Sequence, residues 1–134
     1  MKIMSVVRVM EVLKNLKYSD DHEWVKLAGD LAYIGITDFA QHSMGDIVFV
    51  ELPNVGKKVS KGQDIGVIES FKSTSDVLTP VSGVIEKTNQ LLNNAPELLN
   101  SAPYENWIAV IKIDDASELD ALLDAEAYEK ICKE

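Results

Sequence analysis

Apolar positions along this chain fall into short, β-branched runs separated by glycine, proline and acidic residues, the signature of strands joined by turns. Trp24-Val25-Lys26-Leu27 and Leu31 to Ile36 flank Gly29-Asp30, which predicts a hairpin. The pattern then changes: Thr37 is placed to cap a short helix, Asp38 favours its dipole, and Gly45 is placed to end it in a left-handed conformation. Ile47 to Val50 is apolar throughout and reads as a strand covered on both faces. Asp64 to Ile68 and Val77-Leu78 read as strands on either side of the polar stretch Glu69 to Asp76. Val84-Ile85 resumes the pattern, and Trp107 to Ile113 reads as the last strand. Pro96 to Leu99 suggests one helical turn with proline first. Near the C-terminus, Ser117 to Asp120 resembles a capping box and Asp124 can cap a further turn, so a helical pair packed on the sheets is expected.

One internal similarity stands out. Pro53 with Gly56 and Pro80 with Gly83 share a P-x-x-G spacing, offset by 27 residues, with Val50 and Val77 each three residues before the proline. This suggests two similar strand-turn-strand halves, with Lys72 on the link between them.

Composition narrows the class. The chain has 134 residues, 46% hydrophobic and 26% charged, which suits one soluble domain, 1–134. Within it, 1–16 reads as an N-terminal extension or strand, 17–113 as the β core and 117–133 as a C-terminal helical segment. No apolar run approaches the roughly 20 residues of a spanning helix, so a membrane protein is not expected. A net charge of −9 argues against nucleic acid and suits steering toward partners with basic surfaces. The single cysteine, Cys132, allows no internal disulfide and fits a reducing compartment. His22 and His42 stand apart, no metal-ligand spacing occurs, and His22 reads as a surface or capping histidine. No catalytic machinery is expected, and no metal.

The chemistry then rests on Lys72, the one lysine of Glu69 to Asp76. A buried lysine would suggest a depressed pKa and a catalytic pocket. An exposed one in a protruding turn, free on all sides, suits an enzyme that acylates it, removing the charge and leaving a long stem.

The residues around it resemble the H protein of the glycine cleavage system over nearly the whole chain. The matching text is K-Y-S-D-D-H-E-W-V-K from Lys17, I-G-I-T-D-F-A-Q from Ile34, and G-D-I-V-F-V-E-L-P from Gly45. It continues with V-S-K-G from Val59, E-S-F-K-S-T-S-D from Glu69, P-V-S-G from Pro80, and L-L-D-A-E-A-Y-E-K from Leu122. The resemblance implies a mainly β, lipoyl-domain-like barrel-sandwich hybrid: a flattened antiparallel barrel with short helices and a C-terminal helical segment. It implies lipoate in amide linkage to Lys72, and a carrier rather than an enzyme. The implied partners are a pyridoxal-phosphate-dependent glycine decarboxylase, an aminomethyltransferase, a dihydrolipoyl dehydrogenase and a lipoate-attaching enzyme. The carrier would take the aminomethyl group of glycine from the first to the second, and the third would reoxidise the arm. By motif, Glu23 and Asp76, and more weakly Asp21, are implied neighbours of the loaded arm, whose amine acidic side chains would hold. The bacterial cytoplasm is the implied location, with the mitochondrial matrix as alternative.

Two departures are visible: Phe71 and Ser73 flank the lysine where the family commonly has valine and alanine, and the link Pro103 to Trp107 is short. Neither removes a group the chemistry needs. The alternatives are an H-like protein that relays lipoate to other enzymes, a Schiff-base enzyme using Lys72, and an unmodified structural barrel. A biotinyl domain is disfavoured by Phe71 and Ser73, because that family flanks its lysine with methionine.

Overall fold

The computed structural model describes residues 10–132. Two antiparallel sheets face one another. The larger has the order β1 (Lys17–Tyr18), β2 (Glu23–Ala28), β3 (Leu31–Ile36), β9 (Ala109–Ile113), β8 (Gly83–Thr88), β5 (Lys58–Val59). The smaller has the order β4 (Ile47–Glu51), β6 (Asp64–Ser70), β7 (Thr74–Leu78). Among the described residues they remain separate sheets, a sandwich rather than a closed barrel. Ile34 and Ile111 from one sheet and Val50, Ile68 and Val77 from the other are all buried in one apolar core between them.

The P-x-x-G similarity is architectural. β4 and β7 flank β6 in the small sheet, and their continuations β5 and β8 pair with each other at the edge of the large one. Each half therefore crosses from one sheet to the other at its P-x-x-G turn, and Val50 and Val77 both face the core. Gly83 has no substitute at its crossing, since an added Cβ would lie 1.9 Å from the Lys112 carbonyl oxygen.

Several sequence expectations hold. The β2–β3 hairpin turns at Gly29-Asp30, with Gly29 at φ 64°. Helix α1 (Asp38–Met44) is capped by Thr37, whose side chain accepts from the Ala40 N–H, and ends at Gly45 with φ 81°. Asp124 caps helix α4 (Ala125–Ile131) by accepting from the Ala127 N–H.

Others are corrected. β4 is not covered on both faces: it forms an edge of the small sheet, and a register shift between Ile47 and Phe49 turns Val48 and Phe49 outward together. The helical turn near Pro96 begins later, as α3 (Leu98–Ser101), preceded by an unforeseen turn α2 (Leu91–Asn94). The last strand starts at Ala109, not Trp107. Lys57 to Gly62, a polar segment with no strand pattern of its own, contains the short strand β5. The first half of the tail is a 3-10 turn, Ala116–Ala121, and Asp115 rather than Ser117 caps it, because its carboxylate reaches the Ser117 N–H. Residues 10–16 run into β1 without strand structure, while residues 1–9 of the expected extension or strand lie outside the described residues.

A second apolar cluster positions the turn before β2. Tyr18, Trp24 and Tyr128 are buried together, with Tyr18 stacked on Tyr128 at 4.5 Å between ring centroids. α4 thereby presses against the segment Ser19 to Glu23.

Candidate functional site

The β6–β7 hairpin presents Lys72 at its tip. The turn has no Asn-Gly because Ser70 supplies the bonds instead. The Ser70 N–H donates to the Ser73 carbonyl at 2.8 Å, and Ser70 Oγ accepts from the N–H groups of Lys72 and Ser73 at 3.3 and 3.1 Å. Lys72 is exposed, as the sequence suggested, but one side of its stem is covered. Its stem lies over Gly45, where an added Cβ would be 3.2 Å from Lys72 Cε. The Phe71 N–H also donates to the Asp46 carbonyl, extending the β4–β6 ladder to the tip. Asn100 braces this seat from below, donating to the Gly45 and Gln41 oxygens and accepting from the Ile47 N–H, each at 2.9 Å. One covered side gives the lysine a direction.

Gly45 ends helix α1, and Phe39, Ala40, Ser43 and Met44 on one helical face line a cleft of about 160 Å³. Ile68, Asp76 and Val77 of the hairpin form the opposite wall, and Asp21, His22 and Glu23 close a third side. The structure thus brings Glu23, Asp76 and Asp21 to one cleft, from segments more than fifty residues apart in the chain.

The three acids differ electrostatically. Asp21 and Asp76 are exposed, whereas Glu23 is only 3% exposed. Burial pushes the Glu23 carboxyl up to about 8, with Asp21 and Asp20 adding to the rise and the Ser19 hydroxyl, which donates to Oε1 at 2.6 Å, opposing it. Near neutral pH the raised pKa favours the protonated form of Glu23, and its carboxylate forms as the pH rises.

His22, read from its sequence context as a surface or capping residue, is half-buried. It adopts φ 71°, stacks on Phe39 at 4.6 Å between ring centroids, and its Nδ1 is hydrogen-bonded to the Tyr128 hydroxyl at 2.7 Å. Burial lowers its pKa, against the pull of Asp21 and Asp20. Tyr128 also bonds Thr37 Oγ1 at 2.6 Å, so α4 braces both the α1 cap and the turn that carries Glu23. Sequence reasoning missed Tyr128, Phe39 and Met44. The helical spacing of Phe39 with Ser43 and Ala40 with Met44 could have marked the cleft face; nothing local marks Tyr128. Among the described residues no group of histidine, cysteine and acidic side chains is placed to hold a metal ion. No helix among them is long and apolar enough to cross a membrane.

Comparison with known proteins places this arrangement. A family model described as glycine cleavage H-protein matches residues 16–134. A glycine cleavage system H protein from Thermoanaerobacter sp. (strain X514) is 53% identical over 93% of this chain and 99% of its own length. The mitochondrial glycine cleavage system H protein 2 of Arabidopsis thaliana is 51% identical over 92% of this chain and 80% of its own. The crystal structure of a glycine cleavage system H protein from Mycobacterium marinum superimposes with a TM-score of 0.82 at 33% identity, covering 89% of this chain and 97% of that one.

Proposed function

Because this chain belongs to the glycine cleavage H-protein family, we propose that it is a carrier holding a lipoyl group in amide linkage on Lys72. When attached, that group supplies a disulfide that takes up an aminomethyl carbon with opening of the S–S bond and is restored by two-electron reoxidation. The residues present fit such a group. Lys72 is exposed for acylation, Gly45 leaves room for the stem, and Phe39, Met44 and Ile68 offer apolar contact along the cleft. α1, seven residues long, sets the span from the lysine's seat to the far end of the cleft at about 10 Å.

The single observation that carries the reading is this convergence: a tip lysine seated at one end of the helix that lines a cleft containing Asp21, Glu23 and Asp76. A protonated amine on the arm's end would meet Asp76 and Asp21 as charge-assisted acceptors. It would also favour ionisation of Glu23, because a cation beside a buried acid stabilises its charged form. The chain's own task is to hold, orient and shelter, and the chemistry belongs to partners: a glycine decarboxylase, an aminomethyltransferase, a dihydrolipoyl dehydrogenase and a lipoate-attaching enzyme.

Intact-mass measurement after incubation with a lipoate-attaching enzyme, lipoate and ATP tests this. One lipoyl adduct on the wild type and none on Lys72→Arg is expected. An unmodified wild type, or an adduct that persists in the variant, overturns the assignment.

A further inference from the structure

The outer face of the small sheet carries apolar side chains that the fold itself does not use. Phe71 is 84% exposed, Phe49 50% and Val48 44%. They lie toward one end of that sheet: Phe49 is paired with Glu69, Phe71 follows the last residue of β6, and the Phe71 N–H is bonded to the Asp46 carbonyl, three residues before Phe49. Exposed aromatic side chains grouped in this way mark interaction sites more often than isolated ones do.

The strands and hairpin that carry these side chains are anionic as a whole. Residues 46–51 and 64–78 contain Asp46, Glu51, Asp64, Glu69 and Asp76 against Lys72 alone, a net −4 of the chain's −9. Burial of Phe71 against a partner therefore requires that partner to be basic around an apolar pocket.

We propose that this face is the docking surface for the enzyme that acylates Lys72, with Phe71 and Phe49 as its apolar anchors. The inference rests on the carrier reading. Geometry selects this partner over the others. In amide formation the deprotonated Lys72 amine attacks the carbonyl of an activated lipoyl ester, such as an acyl adenylate. The C–N bond forms, the leaving group departs with the electron pair of its broken bond, and the amine proton passes to solvent. The reacting carbonyl must therefore come within bonding distance of Nζ, while the stem lies on Gly45 and the tip is hydrogen-bonded to Asp46. An enzyme that close must cover Phe71 and the adjoining strand. Enzymes acting at the far end of a lipoyl arm have no such requirement.

The test measures initial rates of lipoyl-adduct formation by intact mass, against concentration of the full unmodified chain. Phe71→Ser and Phe49→Ser are each expected to raise KM tenfold or more and to change kcat less than twofold. Leu27→Ser, an exposed apolar position on β2, is expected to leave both unchanged. Titration of the enzyme with the Lys72→Arg chain, which cannot be acylated, should give the same loss of affinity when Phe71→Ser is added. Raising salt from about 50 to 500 mM should weaken wild-type binding. Unchanged KM and affinity in both phenylalanine variants, with normal wild-type lipoylation, overturns the docking surface alone. A wild type that gains no lipoyl mass overturns the carrier reading as well. Sedimentation showing a wild-type dimer that Phe71→Ser disperses would assign the face to a second copy of this chain instead.

Discussion

Glu23 shows how one side chain can serve both fold and site. Its carboxyl is nearly buried, accepts from Ser19 Oγ and sits beside Asp21 and Asp20, so its proton is retained to about pH 8. A folded-state pKa raised above the unfolded value contributes stability that is complete below the unfolded pKa. It is lost as pH rises through the folded one, here between about 4.5 and 8. Glu23→Gln removes that dependence. Urea unfolding from pH 5 to 8 should show the variant gaining on the wild type by roughly 1 kcal/mol per pH unit. Parallel curves for the two proteins would mean that Glu23 is charged in the folded state. The same residue bears on the loaded arm: Glu23→Ala and Asp76→Ala should each shorten the lifetime of an aminomethyl-loaded protein, measured by the decay of its mass. Equal lifetimes would remove both from the shelter.

At the scale of elements, helix α1 organises the site from both ends. Thr37 caps its start and also meets the Tyr128 hydroxyl, while Gly45 ends it beneath the lysine stem. Loss of an N-cap costs on the order of 1 kcal/mol. Thr37→Ala should exceed that, because it also removes a buried partner of Tyr128, and a thermal or urea melt measures the difference. Thr37→Ser, which keeps the hydroxyl, should recover most of the loss. The hairpin β6–β7 is the complementary element. Its Ser70 bonds replace the usual turn residues, and its ladder to β4 leaves the tip tethered on one side. Strand β4 illustrates a limit of reading by pattern. Ile47 to Val50 is apolar throughout, but the register shift exposes two of the four residues. Periodicity cannot distinguish a strand covered on both faces from an edge strand with apolar residues turned outward.

At the scale of the molecule, the two P-x-x-G crossings place β4 and β7 on either side of β6 and bring β5 and β8 together. The hairpin that links the two halves is then held in the small sheet, with its lysine at the end nearest α1. More than a third of the net charge gathers on this sheet, around a single lysine. An acylation that neutralises Lys72 makes the face more negative still, which favours continued association with basic surfaces after loading.

The amino-acid order by itself determined what depends on neighbours in the chain. Thr37, Gly45 and Asp124 as caps, the Gly29-Asp30 hairpin, the two crossing turns and Lys72 between them follow from local backbone preference and hydrophobic spacing. The placing of Glu23, Asp76 and Asp21 followed from resemblance to a family, not from any pattern among those residues. Only the tertiary structure decided that the three acids line one cleft, that Glu23 retains its proton, and that His22 lies between Phe39 and Tyr128. Those properties depend on burial and on contacts between residues up to 106 positions apart, for which local propensity carries no signal.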